Sequence, residues 1–171
     1  MFKHIFYVPI LQIECEDWNN KKNILKSNEI NFAFKDTVHT DYFEFSKKQT
    51  NVEKIFENEL KIFSKEFELN KLEIAYSWFE KSKKYNYHPP HNHGFGLYSA
   101  VCYVDYDEQE HKPINFICPF LNFVDGTNLE YVPQNVKEGT IIFFPAALSH
   151  YTMPNLSNKD RLVFSFNIHV S

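Results

Sequence analysis

The stretch after Leu72 constrains this chain most: five apolar runs rich in Ile, Val, Phe, Tyr and Cys follow one another with no helical periodicity between them. They cover Leu72 to Phe79, Leu97 to Tyr106, Ile114 to Cys118, Ile141 to Phe144 and Leu162 to Val170. Turn signals separate them at Pro89-Pro90, Asp125-Gly126, Glu138-Gly139 and Pro145. Parallel neighbours need a long crossover, usually a helix, so runs without helices between them are expected to pair antiparallel. The fold class expected is mainly β (α+β): an antiparallel sandwich or barrel with helices packed outside.

The helices belong to the first part of the chain. Residues Phe2 to Ile13 read as one or two short strands, and Glu16 to Ser27 as a weak helix. From Thr50 the pattern is firmer, because Val52, Ile55, Phe56, Leu60, Phe63 and Phe67 recur at three- and four-residue intervals between Glu and Lys. Thr50 and Glu53 form a capping-box start for one helix. A length of 171 residues suits a single domain, with residues 1–71 as a strand and helix support and 72–171 as the β core.

Hydrophobic residues make up 43% of the chain and aromatics 18%, enough to bury a core without disulfides or metal staples and to exclude a disordered or fibrous protein. A net charge of −4 provides no broad cationic surface for nucleic acid. Cys15, Cys102 and Cys118 are an odd number without CxxC spacing, which reads as reduced thiols. The run from Ile5 to Ile13 is short, is broken by Pro9 and lacks a charged flank, so neither a signal peptide nor a membrane span is expected and the protein is placed in the cytoplasm. The 18 basic residues are 17 Lys and one Arg, which nominates Arg161 for a site needing a planar bidentate cation.

Three of the eight histidines fall in Tyr87-His88-Pro89-Pro90-His91-Asn92-His93. On an extended segment His91 and His93 share a face about 6.5 Å apart and can converge on one ion, whereas the two prolines turn His88 aside into a loop role. Gly139-Thr140-Ile141-Ile142-Phe143-Phe144-Pro145 leads to His150, and Arg161 follows eleven residues later. A turn carrying His and a return strand opening with Arg put imidazole and guanidinium in one barrel mouth. That pairing suits a metal chelated by a small dicarboxylate whose far end needs a cationic clamp, since an unpaired carboxylate would be costly to bury.

These segments, with Tyr98 to Val104, Pro119, Val132-Pro133 and Arg161 to Asn167 in the same order, resemble the small 2-oxoglutarate/Fe(II) oxygenases of bacteria and phages, relatives of the prolyl 4-hydroxylase group. The likeness covers roughly Trp78 to Ser171. It implies a double-stranded β-helix (a cupin-like jelly roll) with N-terminal helices on one face, and Fe(II) and 2-oxoglutarate as cofactors. It also implies a dioxygenase that hydroxylates its substrate while 2-oxoglutarate is decarboxylated to succinate. Carried across residue by residue, His91 is the first metal ligand, His150 the distal ligand and Arg161 the clamp on the distal carboxylate.

Two positions depart from the wider superfamily. His93 occupies the usual His-x-Asp carboxylate position, making three neutral imidazoles the catalytic and metal-binding set, unless His93 points away and water completes the shell. Val163 stands where a small hydroxyl residue often follows the Arg. Asp105 and Asp107, beyond a strand end, are poor substitute ligands. Alternation on the last strand puts Arg161, Val163, Ser165 and Asn167 on one face, with Phe164, Phe166 and Ile168 against the helices. Ser165 is therefore a candidate cofactor contact beside Arg161, and Tyr98, on an earlier strand, is a second as a pocket hydroxyl. Tyr87 and Tyr103 are further candidate hydroxyls, and Asn115 and Asn167 candidate amides; His4, His39, His111 and His169 carry no spacing argument.

Two other readings fit the same residues: a cupin-like three-histidine oxygenase that does not use 2-oxoglutarate, and a non-catalytic jelly-roll binding protein. The expected partners are dioxygen and a small-molecule or peptide substrate, with no membrane, and exposed aromatic strands are compatible with a homodimer. Asp105 to Pro113 and Phe120 to Val132 have the irregular composition of substrate-selecting loops.

Overall fold

The computed structural model describes residues 7–29, 32–35, 37–44 and 50–171; the first residues of the Phe2 to Ile13 reading, and His4, lie outside them. Strand β1 (Leu11–Glu14) precedes helix α1 (Trp18–Ser27), strands β2 (Ala33–Lys35) and β3 (Val38–Thr40), and helices α2 (Val52–Ile55) and α3 (Glu57–Glu66). Then come β4 (Leu72–Ser82), β5 (His88–His91), β6 (Leu97–Asp105), β7 (Ile114–Leu121), β8 (Asn128–Tyr131), β9 (Thr140–Pro145), β10 (His150–Thr152) and β11 (Arg161–Val170). Every recorded pairing is antiparallel. The larger sheet runs β1-β9-β6-β11-β4-β3-β2 and the smaller β5-β10-β7-β8.

The five expected runs are β4, β6, β7, β9 and β11, each within a few residues of the reading. The expected turn at Pro89-Pro90 is instead strand β5. Proline has no N–H to give a ladder, and β5 is an edge strand of the smaller sheet, where that loss is tolerated. The helix expected from Thr50 is two helices parted at Phe56 (φ −109°), whose buried ring lies 6.1 Å from that of Phe164 and 5.6 Å from that of Phe166. The capping residue is Asn51 rather than Thr50: its side chain accepts from the Lys54 amide at 3.1 Å.

Alternation divides the core into two layers. Phe79, Cys102, Val104, Ile141, Phe143, Phe164, Phe166 and Ile168 face the helices and pack on Leu25, Val52, Ile55, Phe56, Leu60 and Phe63. Each such buried side chain contributes about 1.5–3 kcal/mol of burial. Val101, Tyr103, Ile142, Phe144 and Val163 face the smaller sheet and meet Ile114, Phe116 and Leu148. The helix layer is also pinned by a buried ion pair, with Lys21 Nζ 2.5 and 2.7 Å from the two carboxylate oxygens of Glu59. Among the described residues no helix is long and apolar enough to cross a membrane.

Gly139 shows how tightly the entry to β9 is built. Its φ is +85°, and a Cβ there would lie 2.9 Å from Trp18 Cγ. Gly139→Ala is therefore expected to lower stability by about 2–4 kcal/mol, from left-handed backbone strain plus overpacking against Trp18, read as a shifted urea midpoint at unchanged slope.

Candidate metal and dicarboxylate site

Strands β5 and β10 lie side by side with His91 opposite His150. His93 lies beyond the end of β5, so it joins them through the turn that follows and not through strand alternation. Its amide donates to Ala146 O at 2.8 Å, tying that turn to the segment leading to His150. The three histidines bring one ligand nitrogen each to within 4.8 Å of one another. Ring centroids are 4.3 Å apart for His91 and His150, 5.0 Å for His93 and His150, and 5.2 Å for His91 and His93. His93 thus points into the cluster, not away from it.

Each ring is also held in one tautomer. His91 Nδ1 lies 2.8 Å from Pro89 O, and His150 Nδ1 2.8 Å from Leu148 O. A carbonyl oxygen only accepts, so both nitrogens carry the proton and leave the Nε2 lone pair free. His93 Nδ1 sits 3.0 Å from Asn167 Oδ1 and 3.0 Å from Ser99 Oγ, and Ser99 donates to the same Asn167 oxygen at 2.7 Å. Burial pushes the His150 imidazole down to about 2 and His91 to about 4, with His88 adding to both, and burial lowers His93 as well. Neutral imidazoles with anchored Nδ1–H groups and convergent Nε2 atoms are the donor set of a divalent transition metal.

The cluster and Arg161 line the same cavity of about 40 Å³. Arg161 is only 3% exposed, yet its hydrogen bonds go to neutral acceptors, Nη1 to Lys112 O at 2.8 Å and Nη2 to Ser82 Oγ at 3.1 Å. No carboxylate among the described residues forms an ion pair with it, and the one carboxylate lining the cavity, Glu80, is turned to His88, so the guanidinium hydrogen-bonding edge can still meet an anionic guest. Val163, Ser165 and Tyr103 line the cavity as well. A second cavity of about 240 Å³ adjoins it, sharing Trp78, Glu80, His88, His91 and His93 and extending past Thr40, Tyr42 and Lys35.

Tyr98 does not reach this site. It lies on the other face of β6, its ring 5.3 Å from Phe63 and 5.1 Å from Phe67. The inward tyrosine of β6 is Tyr103, whose hydroxyl accepts from the Ile114 amide at 3.1 Å and whose burial raises its pKa. Asp105 and Asp107 are also turned elsewhere, Asp105 to Lys22 and Lys26, Asp107 to Lys159. His111 is buried between the Asp107 amide and Lys159 O, locking the loop after β6.

Sequence reasoning missed two residues here. His88 does not sit in a loop: it opens β5, stacks on His91 at 3.8 Å between centroids and lies 2.7 Å through Nδ1 from the buried Glu80 carboxylate. Glu80 sits on an aromatic strand with no motif around it, and only its two-residue spacing from Trp78 and Ser82, which places all three on the inward face of β4, could have pointed to it.

A family model described as "Putative 2OG-Fe(II) oxygenase" matches residues 76–167, more than half of the chain. No protein with a curated description matches by sequence. Among solved structures, the non-heme alpha ketoglutarate dependent carbocyclase SnoK from nogalamycin biosynthesis aligns with TM-score 0.70 at 12% identity, over 94% of this chain and 79% of that one. The viral collagen prolyl hydroxylase of Paramecium Bursaria Chlorella virus-1 aligns with TM-score 0.62 at 14% identity, over 94% and 96%. HygX from Streptomyces hygroscopicus, solved with nickel, 2-oxoglutarate and hygromycin B, aligns with TM-score 0.63 at 11% identity, over 95% and 83%. At these identities the structural likeness speaks for the fold alone, which is the jelly roll expected from the sequence.

The Asn167 anchor can be tested directly. Asn167→Ala is expected to weaken divalent-metal binding about tenfold or more, because His93 loses the acceptor that orients it, while Asn167→Asp keeps an acceptor and retains binding. Anaerobic Co(II) titration followed by visible absorption measures both.

Proposed function

Because the chain belongs to the 2OG-Fe(II) oxygenase family, we propose that His91, His93 and His150 are its iron ligands and that Arg161 holds the distal carboxylate of 2-oxoglutarate. The protein is an Fe(II)- and 2-oxoglutarate-dependent dioxygenase; residues 72–171 form its β core, with β1, β2 and β3 adding strands to the larger sheet. Bound together, the two cofactors supply the oxidising power: one oxygen atom of dioxygen goes to 2-oxoglutarate, which becomes succinate and carbon dioxide, and the other to the substrate as a hydroxyl group.

The residues of the chain do the positioning. Three imidazoles with fixed tautomers would present their lone pairs to one metal ion. Arg161 sets the far end of the dicarboxylate, and Ser165 lies on the same face of β11 and lines the same cavity. Val163, Phe144 and Ile114 exclude water around the carboxylate, which strengthens its pairing with the guanidinium. The larger adjoining cavity receives the substrate, with Trp78 and Tyr42 as its aromatic wall. Three unpaired cysteines support a cytoplasmic location.

The observation that carries this reading is one cavity holding both the convergent imidazoles and a buried guanidinium that hydrogen-bonds only neutral acceptors among the described residues. The experiment is anaerobic reconstitution with Fe(II), followed by a search for the visible metal-to-ligand charge-transfer band that chelated 2-oxoglutarate gives. Wild type is expected to show the band and His91→Ala to lose it. Arg161→Ala is expected to need at least about 30-fold more 2-oxoglutarate to reach it, and Arg161→Lys to recover it only in part. Iron binding with no band at any 2-oxoglutarate concentration would instead favour the three-histidine oxygenase that uses no 2-oxoglutarate.

A further inference from the structure

A metal held by three imidazoles gains no negative charge from its ligands, yet the structure places one carboxylate beside the cluster. Glu80 is 7% exposed and is the one acidic residue among those lining the smaller cavity, as Arg161 is the one permanent cation. Its Oε2 accepts from His88 Nδ1 at 2.7 Å, and the His88 ring lies flat on His91, at 3.8 Å and 19°. The carboxylate is therefore held one imidazole away from the ligand set.

We infer that Glu80 supplies, from outside the ligand set, the negative charge that His93 in place of a carboxylate removes, and that His88 is the tether holding it there. The inference rests on the proposed ligand set and on Arg161 as the 2-oxoglutarate clamp. Counted with neutral imidazoles, the filled cavity holds two positive charges on the metal, one on Arg161 and two negative charges on 2-oxoglutarate. One positive charge is left over, and the Glu80 carboxylate cancels it. A net charge buried in a low-dielectric cavity is costly, so this balance favours the loaded state. Unlike a ligand, Glu80 would take up no coordination position.

A charge-supplying role and a merely structural one predict opposite orders of effect. Gln is the closest match to Glu in shape but lacks the charge, whereas Asp keeps the charge on a shorter arm. Anaerobic Fe(II) and Co(II) titrations of wild type, Glu80→Asp and Glu80→Gln are expected to rank affinities in that order, with Glu80→Gln about 10- to 100-fold weaker than wild type. Glu80→Gln binding as well as Glu80→Asp, or better, overturns the inference. His88→Gln is a second variant, which keeps the carboxylate and an amide N–H donor to tether it, and removes the stacked ring. It is expected to bind close to wild type, and a loss as large as that of Glu80→Gln would assign the effect to support of the His91 ring and overturn the charge assignment. Melting curves of the metal-free proteins check that each variant folds, and if Glu80→Gln does not, Glu80→Ala takes its place in the comparison with Glu80→Asp and His88→Gln. His91→Ala separates the two levels: if it binds metal like wild type, the ligand reading fails and this inference with it. If it loses metal while Glu80→Gln does not, only the inference fails.

Discussion

Strand β11 is hydrogen-bonded along both edges, to β4 on one side and β6 on the other, so it can neither slide nor rotate without breaking two ladders. A one-residue slip would turn Phe164, Phe166 and Ile168 toward the site and Arg161 toward the helices. The apolar layer under α2 and α3 therefore enforces the register that brings Arg161, Ser165 and Asn167 inward. Packing on one face of the strand sets the chemistry on the other. The Asn167 contact with His93 then carries that register into the imidazole cluster, so the helix layer and the histidines are mechanically one unit.

Much of this was legible because β alternation is arithmetic. The two faces of β11 follow from period two alone, and the antiparallel pairing follows from the missing crossovers. The uniqueness of Arg161 identified it without any structure. Three features were not legible, for separate physical reasons. The strand β5 was masked by two prolines, which argue for a turn unless the segment is known to lie at a sheet edge. Tyr98 and Tyr103 lie on opposite faces of one strand because their spacing is odd, and nothing local says which parity points inward; that depends on the β6 pairing with β9 and β11. Glu80 and His88 are eight residues apart and meet only because the chain doubles back after β4, a contact that no local pattern announces.

In the proposed site, holding a metal is separate from balancing its charge. Geometry comes from backbone carbonyls: Pro89 O and Leu148 O lie two residues before the histidines they orient, so each local turn carries its own anchor. Such anchors are insensitive to distant side-chain substitutions. His93 differs, since its anchor is the Asn167 side chain on another strand, and it is the one of the three histidines whose orientation depends on assembly of the whole sheet.

The prolines of β5 have an effect beyond the turn they were first read as. This strand forms the outer boundary of the smaller sheet on the side that bears His91. Whichever of Pro89 and Pro90 faces outward, it offers no amide hydrogen, so an extended polypeptide cannot add to this boundary as one more strand. A chain-like guest approaching the histidines has to be gripped by side chains, and a second copy of the protein cannot zip onto the same rim. The opposite boundary, β8, has no proline within it, and the connection leading into it carries Phe123 and Val124 at 93% and 95% exposure. The smaller sheet is thus sealed against strand growth at the reactive end and left receptive at the other.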